Sequence, residues 1–149
     1  MIKAVKKSFS LIEILVVTSI LSIFFVVTVS VLVVVLRNMK INEHKIYATH
    51  YVGQLEDWLR TQKELDWVDF SSRSGTFCFN DETQMTWVGA LGSCPAVPAS
   101  LNPSIYNRRL DLPGCPGSCA QVGATITVSW KELGKDYMVQ AKPVFSLLE

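Results

Sequence analysis

Between Phe9 and Trp67 the chain carries no proline and a single glycine, Gly53, and this uninterrupted stretch constrains the fold more than any other feature. Its first part, Phe9 to Leu36, is an apolar run of about 28 residues holding one charge, Glu13. About 20 such residues suffice for an α-helix to cross a hydrocarbon core of about 30 Å. A secretory signal has an apolar core of about 7 to 15 residues followed by a small-x-small cleavage site, whereas this run passes directly into Arg37-Asn38-Met39-Lys40. It therefore reads as a membrane span. Lys3, Lys6, Lys7 and the amino terminus favour a cytoplasmic start, a bias softened by Arg37, Lys40 and Lys45, and the rest of the chain is expected outside the cytoplasm.

Glu13 has two readings. A charge inside a span costs about 2.5 to 3.5 kcal/mol on insertion scales, which makes a carboxylate at that depth a functional candidate. It also lies about one helical turn past the basic residues, roughly 7 Å, near enough for the side chain to bend back to the interface. The residues alone leave both open.

Past the membrane, Ile41, Ala48, Val52, Leu55 and Leu59 recur at helical steps, with Tyr51 and Trp58 widening the stripe. The simplest expectation is one continuous helix of almost 60 residues, roughly 85 Å long. About 110 residues follow the span, enough for one modest domain. So long a helix cannot bury itself in such a domain, and its first half must meet lipid or other copies of itself.

After Asp69 the pattern turns to short extended segments. Ser71-Ser72-Arg73-Ser74-Gly75 reads as a turn cluster. Thr76–Phe79 and Met85–Val88 read as a hairpin across Asn80-Asp81-Glu82-Thr83. A further strand alternates Tyr106, Arg108, Leu110 and Leu112 with polar residues and ends at Pro113-Gly114. Ala124, Ile126, Val128 and Trp130 share one face of another, whose partner is expected from Tyr137 to Phe145 after a turn containing Gly134. The fold class is α+β: a long N-terminal helix continuing into an amphipathic stem whose stripe packs on Ile126, Val128 and Trp130 of a small antiparallel sheet. The organisation is a span at 9–36, a stem at 37–69 and a head at 70–149.

Cys78, Cys94, Cys115 and Cys119 all fall beyond the span, where an even count reads as two disulfides. Of three possible pairings, the favoured one joins Cys78 to Cys94 and Cys115 to Cys119. A four-thiolate zinc site is the competing reading, disfavoured because three residues separate Cys115 from Cys119 and Cys78 is far from Cys94.

Lys7-Ser8-Phe9-Ser10-Leu11-Ile12-Glu13-Ile14-Leu15 resembles the class III signal peptide of type IV pilins and type II secretion pseudopilins: a short basic leader, a small residue, a Phe, and a Glu five positions into the cleaved chain. The resemblance covers about the first 35 residues. Ser8 stands where Gly is the norm, and the Pro and Gly that kink many pilin stems are absent from the span. What it implies is specific. A prepilin peptidase would remove the leader 1–8 between Ser8 and Phe9 and methylate the new amino group of Phe9. Glu13 would accept the α-ammonium of a neighbouring subunit in a filament raised by an assembly platform protein. Tyr47-Ala48 and Gln54–Arg60 resemble a minor-pilin stem, although Glu56 and Arg60 are better read as an exposed i,i+4 pair, and Val128-Ser129-Trp130 is similar to the strand near the carboxyl end of minor members. The function implied is a minor pilin or pseudopilin, a single-pass membrane subunit that ends in an extracellular filament. A tip-located binding module or a plain single-span anchored protein are the alternatives.

An enzyme is the least expected class. His44 and His50, six apart on a helix, face different directions and read as solvated stem residues. No Gly-x-Ser-x-Gly, Walker loop or His-Glu-x-x-His occurs. Asn80-Asp81-Glu82 could at most hold calcium, and no cofactor is expected. A net charge of +1 argues against a nucleic-acid surface, and Arg108 and Arg109, the head's one adjacent basic pair, alternate onto opposite strand faces.

Overall fold

A computed structural model describes residues 10–80, 85–92, 94, 105–115 and 119–147. The elements are α1 (Leu11–Leu65), α2 (Trp67–Ser72), β1 (Gly75–Cys78), β2 (Tyr106–Leu112), β3 (Gln121–Gly123), β4 (Thr125–Glu132), β5 (Lys135–Ala141) and β6 (Val144–Ser146). The chain divides into two compact units, Met1–Ile41 and Asn42–Glu149.

In the first unit every described side chain from Ser10 to Lys40 is exposed. Its hydroxyl side chains are satisfied by the helix itself. The hydroxyls of Thr18, Ser19, Ser22, Thr28 and Ser30 each donate to a carbonyl three or four residues back, at 2.7–3.0 Å. In lipid that internal satisfaction is what a spanning segment requires.

In the second unit the expected stripe has its destination. Ala48, Tyr51, Val52, Leu55 and Leu59 of α1 are buried in one core with Tyr106, Leu110, Ile126, Val128 and Trp130. The main sheet is antiparallel with strand order β1-β2-β4-β5. Its register sets Tyr106 opposite Trp130, Arg108 opposite Val128 and Leu110 opposite Ile126, all with buried side chains. Because side chains alternate across a strand, a slip of one residue would turn this whole apolar set outward.

Four expectations are corrected. The helix ends at Leu65 and not at Trp67, because Asp66 adopts an extended conformation and its side chain accepts from the Asp69 N–H at 3.0 Å, capping the separate short helix α2. That helix takes in Ser71 and Ser72, which read as turn residues. The hairpin between Thr76–Phe79 and Met85–Val88 does not form. β1 pairs instead with β2, and on its other side the Cys78 N–H donates to Ala90 O at 2.7 Å and the Gly92 N–H to Thr76 O at 2.9 Å. The segment expected as a strand is held by Trp87, whose indole meets Trp58, Phe77 and Phe79 and donates to Gln62 Oε1 at 3.0 Å. Finally, the strand expected over Tyr137–Phe145 is two. Pro143 has no N–H for the ladder, and beyond it β6 joins β3 in a second, two-stranded sheet.

Candidate functional site

Glu13 lies in the first turn of α1 and is exposed, flanked by Ile12 and Ile14. A hydroxyl in a span can turn its proton onto the helix backbone, as the five above do, but a carboxylate only accepts and finds no donor among the carbonyls that line a helix surface. An anion in the first turn is favoured by the helix dipole. A cation brought by another group would complete it. Ser8 and Phe9, the residues of the implied cleavage and methylation, lie outside the described residues.

The disulfides are Cys78–Cys94, with Cα atoms 5.2 Å apart, and Cys115–Cys119, at 6.2 Å. All four thiols are thereby consumed, which overturns the zinc reading. The first bond ties β1 to the segment that covers its edge, and the second closes a short loop ahead of β3. At that loop the Trp67 indole donates to the Cys119 carbonyl at 3.2 Å, joining it to α2. Asp81 and Glu82 of the calcium reading lie outside the described residues, and Asn80 instead accepts the Arg108 N–H on its Oδ1 at 2.8 Å. Among the described residues no group of three or more His, Cys, Asp or Glu side chains is placed to hold a metal.

One polar residue of the stem sits where the sequence reading did not put it. His44, expected in solvent, is buried at 7 % exposure, while His50 is exposed. His44 lies four residues before Ala48, on the buried stripe itself, and that spacing was the available signal. Its Nδ1 lies 2.8 Å from the Tyr106 hydroxyl, which also donates to the His44 carbonyl at 3.2 Å. Its Nε2 lies 3.9 Å from Glu132 Oε2. Burial raises the Tyr106 pKa well above the usual tyrosine range, and the nearby Tyr51, Glu43, Tyr47 and Glu132 push it the same way.

Arg108 is fully buried, whereas Arg109 is exposed and bridges to Asp111 at 2.8 Å. The adjacent basic pair is thus split between core and surface. Glu56 and Arg60 form the exposed i,i+4 pair at 2.8 Å.

The α1 helix, apolar over its first half, packs its second half on a disulfide-bonded antiparallel sheet, a topology of the pilin type. Among the described residues one helix, near the amino terminus, is long and apolar enough to cross a membrane, and with the two disulfides it suggests a single-span or secreted extracytoplasmic protein. No family model, no curated protein and no solved structure matches the chain.

Proposed function

We propose that the chain is a minor pilin or pseudopilin, a structural subunit held in the membrane by its apolar helix and assembled through that helix into a type IV pilus-like filament. The observation that carries this reading is Glu13, the one charge in an exposed apolar span in which the hydroxyls of Thr18, Ser19, Ser22, Thr28 and Ser30 are satisfied within the helix. Side-by-side packing of such helices buries their apolar faces and brings the amino group of one chain to the carboxylate of another. The resemblance supplies the rest: cleavage between Ser8 and Phe9 by a prepilin peptidase, methylation of Phe9, and extraction by an assembly platform. A head with two disulfides suits a subunit that works outside the cytoplasm. The buried Arg108 removes half of the basic pair that a DNA-gripping tip would use, so the assembly reading is preferred to the tip reading.

The test is the native chain itself. Mass spectrometry of fibres sheared from the host should find a polypeptide beginning at Phe9, free or methylated. Fibres that lack it in cells where it is expressed, or a chain that keeps Met1–Ser8 beside an active peptidase, would overturn the reading.

A further inference from the structure

The two edges of the main sheet are finished differently. Beyond β1, the backbone of Ala90 and Gly92 bonds to Cys78 and Thr76. β5 is the other end of the strand order, and among the described residues no strand lies outside it. It has no proline, and it turns Tyr137, Val139 and Ala141, only partly buried, toward the core. Exposed edges are ordinarily blunted by proline, a bulge or an inward-pointing charge, because their row of outward N–H and C=O groups invites another strand. From Asp136 to Lys142 β5 carries none of these devices.

Which groups point outward follows from the register. Ile126 lies opposite Ala141, and the Ala124 N–H donates to the Pro143 carbonyl at 2.9 Å, so the ladder with β4 continues in step past the end of β5. Hydrogen-bonding direction alternates along an antiparallel strand. Tyr137, Val139, Ala141 and Pro143 therefore face β4, while Asp136, Met138, Gln140 and Lys142 each direct an N–H and a C=O away from the sheet. The side chains of these four are exposed on the face opposite the core.

We propose that this edge pairs with the same edge of a second copy of the chain, antiparallel and centred on Val139. In that register Asp136 meets the copy's Lys142 and Lys142 meets the copy's Asp136, an ion pair at each end. Met138 meets Gln140, and every outward backbone group of the four residues finds a partner. On the core side Tyr137 lies against Ala141, large against small, and Val139 against Val139. A shift by one residue breaks the alternation of hydrogen bonds. A shift by two keeps it but sets Asp136 opposite Gln140 or Val144, and both ion pairs are lost. Within its own chain Asp136 is in register with Lys131, so the copy's Lys142 brings a second cation to that carboxylate from the open side.

The two-fold axis of such a pair is perpendicular to the sheet and reverses the direction of any element lying along it, the packed part of α1 included. The partner is thus a copy running the opposite way, as on a second fibre, and not the next subunit of the same one. The pairing does not depend on the filament reading, and its failure would leave that reading standing.

The experiment uses the full chain in detergent micelles, with association followed by analytical ultracentrifugation. So short a ladder is a small interface, for which a dissociation constant on the order of 10 µM is expected. At a concentration about tenfold higher the wild type should be mostly dimeric. Asp136→Lys and Lys142→Asp each place like charges at both ends and should each weaken association by about tenfold or more. Mixed in equal amounts, the two variants should pair with each other as well as the wild type pairs with itself, because every Lys then meets an Asp. A wild type that stays monomeric, a dimer that either variant leaves intact, as one held by the apolar span would be, or a mixture no better than its components would overturn the proposal. A second measurement needs no variant. Amide hydrogen exchange at Asp136, Met138, Gln140 and Lys142 should slow as the chain is concentrated, while Tyr137, Val139 and Ala141, bonded to β4, should not change. Equal rates for the first four at both concentrations would sink the pairing.

Discussion

Arg108 lies with its guanidinium 5.8 Å from the centre of the Tyr51 ring and donates from Nη1 to the Tyr51 carbonyl at 3.3 Å. Its Nε also donates to the Phe79 carbonyl at 2.7 Å, and Gln54 Oε1 is 3.4 Å from Nη1. A fully buried cation is thus used to tie α1, β2 and the end of β1 together through backbone acceptors. Removing it takes a donor from the Phe79 carbonyl, while the Tyr51 carbonyl keeps its bond within α1. The Arg108→Ala variant should lose about 3 kcal/mol of stability or more, from lost charge-assisted bonds and the cavity left behind. Arg108→Lys should recover only part of the loss, because an ammonium lacks the planar fork that reaches several acceptors at once. Urea midpoints read by tryptophan fluorescence measure both. An alanine variant as stable as the wild type would show that the buried charge contributes nothing net.

Tyr106 gives a prediction in alkali. Burial raises its pKa, so the folded state keeps the neutral phenol at a pH where the unfolded chain has begun to release the proton. Stability is therefore full below about pH 10, the unfolded value, and falls as pH rises beyond it, by at most about 1.4 kcal/mol per pH unit from this one group. The phenolate absorbance near 295 nm should show a late component that appears together with unfolding. Tyr106→Phe should remove that component and flatten the alkaline decline, although it starts from a lower stability because the bonds to His44 are gone. An unchanged absorbance titration in the variant would show that Tyr106 ionises with the exposed tyrosines.

Where a period of two or 3.6 coincided with burial, the sequence was readable. Ile126, Val128 and Trp130 alternate inward and Ala48, Val52, Leu55 and Leu59 form the facing stripe, so packing of the helix on this strand followed from spacing alone. Trp87 misled because an aromatic in Met85–Val88 has high strand propensity, while its actual position depends on a ring cluster with Trp58 and a hydrogen bond to Gln62, both distant in sequence. His44 was misread for the opposite reason: it occupied an inward position of the helical stripe but was assigned by its polarity, and its burial rests on Tyr106, a partner distant in sequence. Arg108 was placed by alternation on the face of Tyr106, Leu110 and Leu112, and the acceptors that hold it there lie on other segments. Glu13 was legible as a lone charge in an apolar run, and the partner proposed for it belongs to another subunit, which a single chain's sequence does not contain.

The two disulfides should differ in weight. Sixteen positions separate Cys78 from Cys94 and four separate Cys115 from Cys119. On the chain-entropy estimate these loops restrict the unfolded state by about 3 and about 2 kcal/mol respectively. Cys78 also sits in a main-sheet strand, so its loss loosens the covering segment that includes Ala90 and Gly92. Paired Cys→Ser variants compared by urea midpoint should show the larger loss for Cys78 and Cys94. The reverse order would place the greater mechanical load on the junction of α2 with β3.

The most direct consequence of the proposed function concerns Glu13, because insertion and assembly make opposite demands on it. Inserting the span alone is easier without the charge, by at most about 3 kcal/mol, so Glu13→Ala should reach the membrane at least as well as the wild type. Assembly instead needs an anion for the incoming amino terminus, so the same variant should be depleted from sheared fibres by about tenfold or more relative to its membrane pool. Glu13→Gln separates charge from size. It keeps the shape and a hydrogen-bond acceptor but has no charge to attract an ammonium, and it should fail nearly as badly as alanine. Glu13→Asp keeps the charge on a shorter arm and should be partly incorporated. Quantitative blotting of membrane and fibre fractions gives both numbers from one culture. If alanine and glutamine variants enter fibres at the wild-type ratio, the carboxylate only reaches back to the lipid interface, and the chain is an anchored protein whose span recognises nothing.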